Sequence, residues 1–93
     1  MDVASAIADP VRRDILTLLR DGVMTAGEIA GCFEISRPAI SRHLRVLREC
    51  GLVVDEVNGR ERRYQLDTAP LAPLEAWLGA LHDPWSGRLD ALE

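Results

Sequence analysis

Four arginines, one histidine and two serines fall within fifteen residues, Ser36–Cys50 (SRPAISRHLRVLREC), against a single acid, Glu49. These residue types are suited to binding anions. A guanidinium can hold a phosphate or the O6/N7 edge of guanine through two parallel hydrogen bonds, and a serine hydroxyl can donate or accept toward base or phosphate. The ring of Pro38 can touch a thymine methyl. A second basic group follows in GRERR, where Arg60, Arg62 and Arg63 surround Glu61. Residues 36–64 carry seven arginines against four acids, while the rest of the chain carries four arginines against eleven acids, for a net charge of −4 overall. A basic centre between acidic flanks is an electrostatic footprint for a polyanion, and the acidic remainder would discourage indiscriminate phosphate binding. The plainer alternative is a solvated charged face on a small α+β domain.

Bond-breaking chemistry finds less support. There is no glycine-rich phosphate loop and no nucleophile elbow, the two histidines, His43 and His82, are not paired in a motif, and Ser5, Ser36, Ser41 and Ser86 lack a recognisable base. No enzymatic activity and no cofactor are expected.

The elements that must position the basic residues can be read from periodicity and caps. Val3 and Ile7 suggest a short first helix over 2–8. Asp9-Pro10 is a helix start, and Val11, Ile15, Leu18 and Leu19 carry helical spacing to about Arg20, where Asp21-Gly22 ends the run. Thr25 and Glu28 form a capping box that opens a third helix, with Ile29, Cys32 and Phe33 as its inner stripe. After a turn around Phe33–Ile35, Ser36 caps a fourth helix and Gly51 closes it. Wound at 3.6 residues per turn, Ile40, Leu44 and Leu47 share one face, with Val46 and Cys50 beside them, and Arg37, Ser41, Arg45 and Arg48 lie opposite, with Arg42 on the flank. His43 falls between the two faces, where packing or a phosphate contact suits it better than metal ligation.

LVVDEV and RRYQL around Asn58-Gly59 read as a hairpin. A last helical region begins near Pro70 with Leu71, Leu74, Trp77, Leu78 and Leu81, is interrupted at Asp83-Pro84, and resumes with Trp85, Leu89 and Leu92. Two capped helices joined by a tight turn, the second basic and amphipathic, followed by a basic hairpin, make a winged helix-turn-helix. The expected class is mostly α with a small β-hairpin, in the order α-α-α-α-β-β-α. It is read as one domain over 1–93, with the helix-turn-helix at 25–50, the wing at 52–67 and a C-terminal region at 70–93. On this reading Ser36, Arg37, Pro38, Ser41, Arg42 and Arg45 face double-stranded DNA from the recognition helix, and Arg60, Arg62 and Arg63 do so from the wing.

At 93 residues the chain has little core to spare, so a partner subunit is the leading source of extra stability. Its 47% apolar content is too high for disorder, yet it contains no long apolar run that could span a membrane. The N-terminus has an acid at position 2 and no basic n-region, so a cytoplasmic location without membrane attachment is expected. Two cysteines, Cys32 and Cys50, cannot build a disulfide framework.

IADPVRRDILTLLRDG, TAGEIA, SRPAISRHLRVLRECGLV and NGRERRYQLD together resemble the ArsR/SmtB family of bacterial winged-helix repressors, over residues 4–67. The resemblance implies a homodimer on a palindromic operator, joined through the first and last helices. Such an interface would bury Val3, Ile7, Leu74, Trp77, Leu78, Leu81 and Trp85; filling of the monomer's own core is the alternative use for these side chains. Many relatives respond to metals through a Cys-x-Cys pair near the helix-turn-helix, in a motif like ELCVCDL. The matching stretch here is EIAGCFE, with Ala30 at the first cysteine and Cys32 at the second. Of a second family site on the last helix only His82-Asp83 remains. Neither set supplies the three or four ligands a transition metal needs, so no metal site is expected. Cys32 is then read as a buried small hydrophobe and Cys50 as packing the end of the recognition helix. A thiol- or metal-responsive repressor using Cys32 and Cys50, and a winged-helix module for protein–protein assembly, are the alternatives to a DNA-binding regulator.

Overall fold

The computed structural model describes residues 1–83; Trp85, Leu89 and Leu92 of the expected C-terminal helical region lie outside the described residues. Helix α1 (Val3–Ala6) is shorter than its spacing predicts, because Asp2 is its cap rather than its first turn: the carboxylate accepts from the Ser5 N–H. Helix α2 (Pro10–Arg20) begins on Asp9, whose side chain accepts from the Val11 and Arg12 N–H groups. Pro10 occupies the first turn, where no N–H is needed.

Helix α3 (Ala26–Ala30) carries the full capping box. The Thr25 hydroxyl accepts from the Glu28 N–H at 3.1 Å, and the Glu28 carboxylate accepts from the Thr25 N–H at 2.9 Å. Helix α4 (Arg37–Glu49) starts on Ser36, whose Oγ accepts from the Ala39 N–H. It ends in a Schellman motif: the Leu52 N–H reaches the Leu47 carbonyl at 3.0 Å and the Gly51 N–H reaches the Arg48 carbonyl at 3.1 Å. Gly51 supplies the left-handed φ of +82° that this termination requires. Leu47 and Leu52 are both fully buried, which gives the motif its usual apolar contact.

Strands β2 (Val53–Asn58) and β3 (Glu61–Leu66) pair in antiparallel register, with Asn58 opposite Glu61. The turn residues are therefore Gly59 and Arg60, one position beyond the Asn58-Gly59 signal. Gly59 takes the positive φ, +66°, at the first turn position. A two-residue strand, β1 (Met24–Thr25), pairs with β3 to give the sheet order β1-β3-β2. Two residues are too few to carry an alternation signal, so the sequence pattern does not reveal it. A 3₁₀ turn (Ala69–Leu71) leads into helix α5 (Ala72–His82), which ends where Asp83 becomes extended.

The core is the meeting point of these elements. Ile15 from α2, Ile29 from α3, Ile40, Leu44 and Leu47 from α4, then Leu52 and Val53, are fully buried. Each such side chain contributes about 1.5–3 kcal/mol relative to exposure. This apolar junction locks the inner face of α4, which in turn dictates which side of α4 looks outward. Helix α5 has no buried residue: Trp77, Leu78 and Leu81 are 57%, 45% and 61% exposed.

Candidate DNA-binding face

Helix α4 presents its polar side as the spacing predicts. Arg37, Pro38, Ser41, Arg42 and Arg45 are exposed, opposite buried Ile40, Leu44 and Leu47. The Ser36 Oγ is occupied as an acceptor by the helix cap, which leaves its O–H as a donor. Helix α3 packs against α4, and Arg37 leans back over the start of α3: a Cβ on Gly27 would sit 4.0 Å from Arg37 Nη1. The start of α3, the start of α4 and the wing tip together enclose an open cleft of ≈ 310 Å³ lined by Thr25, Gly27, Arg37, Arg60, Glu61 and Arg62. Arg37 and two wing arginines, distant in sequence, thus converge at one place.

The third wing arginine stands apart. Side chains alternate across a strand, so Arg62 shares a face of β3 with Tyr64, and Arg63 shares the opposite face with Glu61. Arg63 Nη2 lies 3.9 Å from Glu61 Oε2, and the Arg63 charge also lies near Glu28. Glu28 sits below its ordinary carboxylate value chiefly because it accepts from the Thr25 backbone, with Arg63 a minor contributor. Arg62 is itself engaged, with Nη1 2.6 Å from Asp55 Oδ2 on β2.

Two residues that sequence reasoning passed over matter to this face, Arg12 and Asp55, and Asp55 pairs with Arg48 of the outward side of α4. Arg12 Nε donates to the Ala6 carbonyl at 2.6 Å and Nη2 to the Ser5 carbonyl at 3.3 Å, closing the C-terminal end of α1. Its Nη1 lies 3.3 Å from His43 Nδ1 on the recognition helix. His43 is therefore a packing and hydrogen-bonding residue on the inner flank of α4. Asp9, held below its ordinary value mainly by the Arg12 N–H and also by the nearby His43, completes the cluster. One of three arginines in α2 and a single aspartate in β2 carry no motif, so neither pattern nor spacing could have marked them.

One of the two cysteines departs from expectation. Cys32 is exposed rather than buried, because α3 ends at Ala30 and the turn that follows swings position 32 outward. Its Sγ donates to the Glu28 carbonyl at 3.5 Å. Cys50 is half-buried at the end of α4 as expected, with Sγ donating to the Leu47 carbonyl at 3.4 Å. Among the described residues no group of three or more His, Cys, Asp or Glu side chains is placed to hold a metal, and no helix is long and apolar enough to cross a membrane.

A capped helix pair with an arginine-lined second helix, backed by an antiparallel wing, defines a winged helix-turn-helix protein. Comparisons with known proteins agree. Residues 9–54 match the family described as "Bacterial regulatory protein, arsR family". The chain is 44% identical to the transcriptional repressor SdpR of Bacillus subtilis over 83% of its own length and 86% of that protein's. It is 46% identical to the regulator Rv2034 of Mycobacterium tuberculosis over 74% of its own length but 64% of that protein's, so it spans under two thirds of this relative. Its fold superimposes on an ArsR-like transcriptional regulator from Rhodococcus sp. RHA1 with a TM-score of 0.82 and 37% identity, covering 97% of this chain and 83% of that one. The chain belongs to the ArsR family and is a DNA-binding transcriptional regulator.

Proposed function

We propose that the chain acts as a homodimeric repressor at a palindromic operator in the cytoplasm, with no catalytic activity. Each protomer sets the N-terminal half of α4 into a major groove, where Arg42, Arg45 and Ser41 read base edges and Arg37 and Pro38 stand at the groove lip. Arg60 and Arg62 at the wing reach backbone or minor groove, with Arg63 on the flank of the wing. The observation that carries this reading is the division of α4 into a fully buried apolar face and an exposed arginine face. A module for protein–protein assembly would have no use for that line of arginines.

Helix α5 supports the dimer. Trp77, Leu78 and Leu81 are apolar, adjacent and exposed on a helix with no buried residue in the protomer. Val3 and Ile7 of the N-terminal segment, half-buried against the core, and half-buried Leu74 complete the proposed contact. Trp85, assigned to the same interface from sequence, lies outside the described residues. Two groove-reading helices on one operator need a two-fold assembly, because half-sites one helical turn apart mirror protein symmetry.

The experiment is a selection of genomic fragments bound by the purified protein, followed by mobility-shift titration of the recovered duplex. Arg45→Ala is expected to cost about 1–3 kcal/mol and to relax base preference. Leu78→Asp is expected to give monomer by sedimentation and lose operator binding. Retention of full operator affinity by Arg45→Ala and Arg42→Ala together would defeat the groove assignment.

A further inference from the structure

Asp55 joins the two parts of the DNA-binding face. It sits in the middle of β2, opposite Tyr64, so Arg62 is its diagonal same-face neighbour, within reach of a long side chain. Asp55 Oδ2 accepts from Arg62 Nη1 at 2.6 Å and from Arg48 Nη1, in the last turn of α4, at 3.4 Å. The Asp55 side chain is 18% exposed, whereas those of Arg48 and Arg62 are 38% and 46% exposed. One shielded carboxylate therefore holds one cation from the recognition helix and one from the wing, and both cations retain a path to solvent. Asp55 is the acid that the structure places between these two arginines, within a segment that otherwise carries an excess of positive charge.

We infer that Asp55 is a specificity-determining residue. By pairing with Arg48 and Arg62 away from the operator it withholds two cations from random phosphates, and it holds the wing at a set angle to α4 from which Arg62 reaches the operator backbone only when α4 docks as well. Non-specific binding, which depends on the number of neutralised phosphates, is kept weak. Operator binding, which depends on recognition helix and wing docking together, is preorganised. The two arginines could engage phosphates without Asp55, but they would do so on any sequence. This inference rests on the proposed placement of α4 and the wing against DNA.

The test is Asp55→Asn, which keeps the shape and an acceptor oxygen but removes the charge. Affinity is measured by fluorescence anisotropy over a salt series on two probes. One is the duplex recovered by genomic selection with the unaltered protein; the other is a scrambled duplex of the same length and composition. Asp55→Asn should bind the scrambled duplex about 3- to 10-fold more tightly near 0.1 M salt, with a log–log salt slope steeper by about 1–2. Affinity for the selected duplex should stay level or fall, so the ratio of the two drops by at least about 3- to 10-fold. Adding Arg48→Ala to Asp55→Asn should cancel part of the non-specific gain, a readout that loss of stability alone would not produce. Parallel weakening on both duplexes, or an unchanged ratio, would overturn the assignment. If the unaltered protein fails to prefer its selected duplex, the DNA-face reading falls and this inference with it. Normal discrimination by the unaltered protein with an unchanged ratio in the variant overturns the role of Asp55 alone.

Discussion

Arg12→Leu tests whether the recognition helix is held from behind. Leucine preserves an apolar stem in α2 but removes the guanidinium, and with it a weak contact to the Met1 sulfur at 3.8 Å and three contacts to oxygen or nitrogen. The three are the 2.6 Å bond to the Ala6 carbonyl, the 3.3 Å bond to the Ser5 carbonyl and the 3.3 Å contact to His43 Nδ1. Hydrogen bonds from a charged donor are each worth about 1.5–3 kcal/mol net when shielded. Water can replace the exposed Ser5 contact, which reduces its share to near zero. The Ala6 and His43 contacts are part-buried, and at the low end of the range they set a combined loss of about 3 kcal/mol. For a domain of this size that corresponds to a fall in Tm of roughly 10–20 °C. Urea denaturation should be run at one fixed protomer concentration, since any self-association shifts the midpoint. A fall in midpoint with unchanged m is the expected signature. The function of the clasp is read separately, by operator affinity at a temperature where the variant is fully folded. Loss of the His43 tether should then weaken operator binding more than binding to a scrambled duplex. A destabilisation below about 0.5 kcal/mol, the range of an ordinary surface substitution, would refute the clasp.

Further outcomes follow from the caps and turns. Gly51→Ala should cost about 1–2 kcal/mol, because an L-residue must adopt the left-handed φ of +82° and its Cβ would stand 3.3 Å from Pro70 Cγ; urea midpoints would check it. Thr25→Ala removes the acceptor for the Glu28 N–H and should cost about 1 kcal/mol by the same measurement. Asp2, Asp9 and Glu28 all titrate below their ordinary values of 3.8, 3.8 and 4.5, each chiefly because it accepts from a backbone N–H at a helix start. Their folded-state values lie below the unfolded ones, so the stability they contribute is present above those ordinary values and is lost as pH falls through the lowered ones. Thermal unfolding should therefore hold level down to about pH 5 and decline below about pH 4.5, and Glu28→Gln should flatten part of that decline.

Much of the architecture is local and therefore legible in the chain. Asp9-Pro10, Thr25 with Glu28, Ser36 and Gly51 mark helix ends through bonds that span at most a few residues. The buried stripe Ile40, Leu44 and Leu47 follows from 3.6 residues per turn, and it alone implies that Arg37, Ser41 and Arg45 face outward. The boundaries suffered where a local signal is weak. The hairpin turn moved one residue, from Asn58-Gly59 to Gly59-Arg60, because register is set by the pairing of β2 with β3 and not by turn propensity alone. Cys32 lies outside the buried stripe that its spacing predicts because it follows the last turn of a five-residue helix, where the helical period no longer describes the backbone.

The sequence by itself determined the helix caps, the two-faced recognition helix, the basic hairpin and the family, since each rests on residue types and short spacings. Only the tertiary structure decided which charges are free and which are held. Arg62 meets Asp55, and Arg63 leans toward Glu61, because strand alternation and register bring those groups within reach. Arg12 meets His43 across 31 positions because α2 and α4 pack on one core. An arginine reads the same in a sequence whether it waits for a phosphate or already holds a carboxylate. That difference is a distance, and distances between remote residues exist only once the chain is folded.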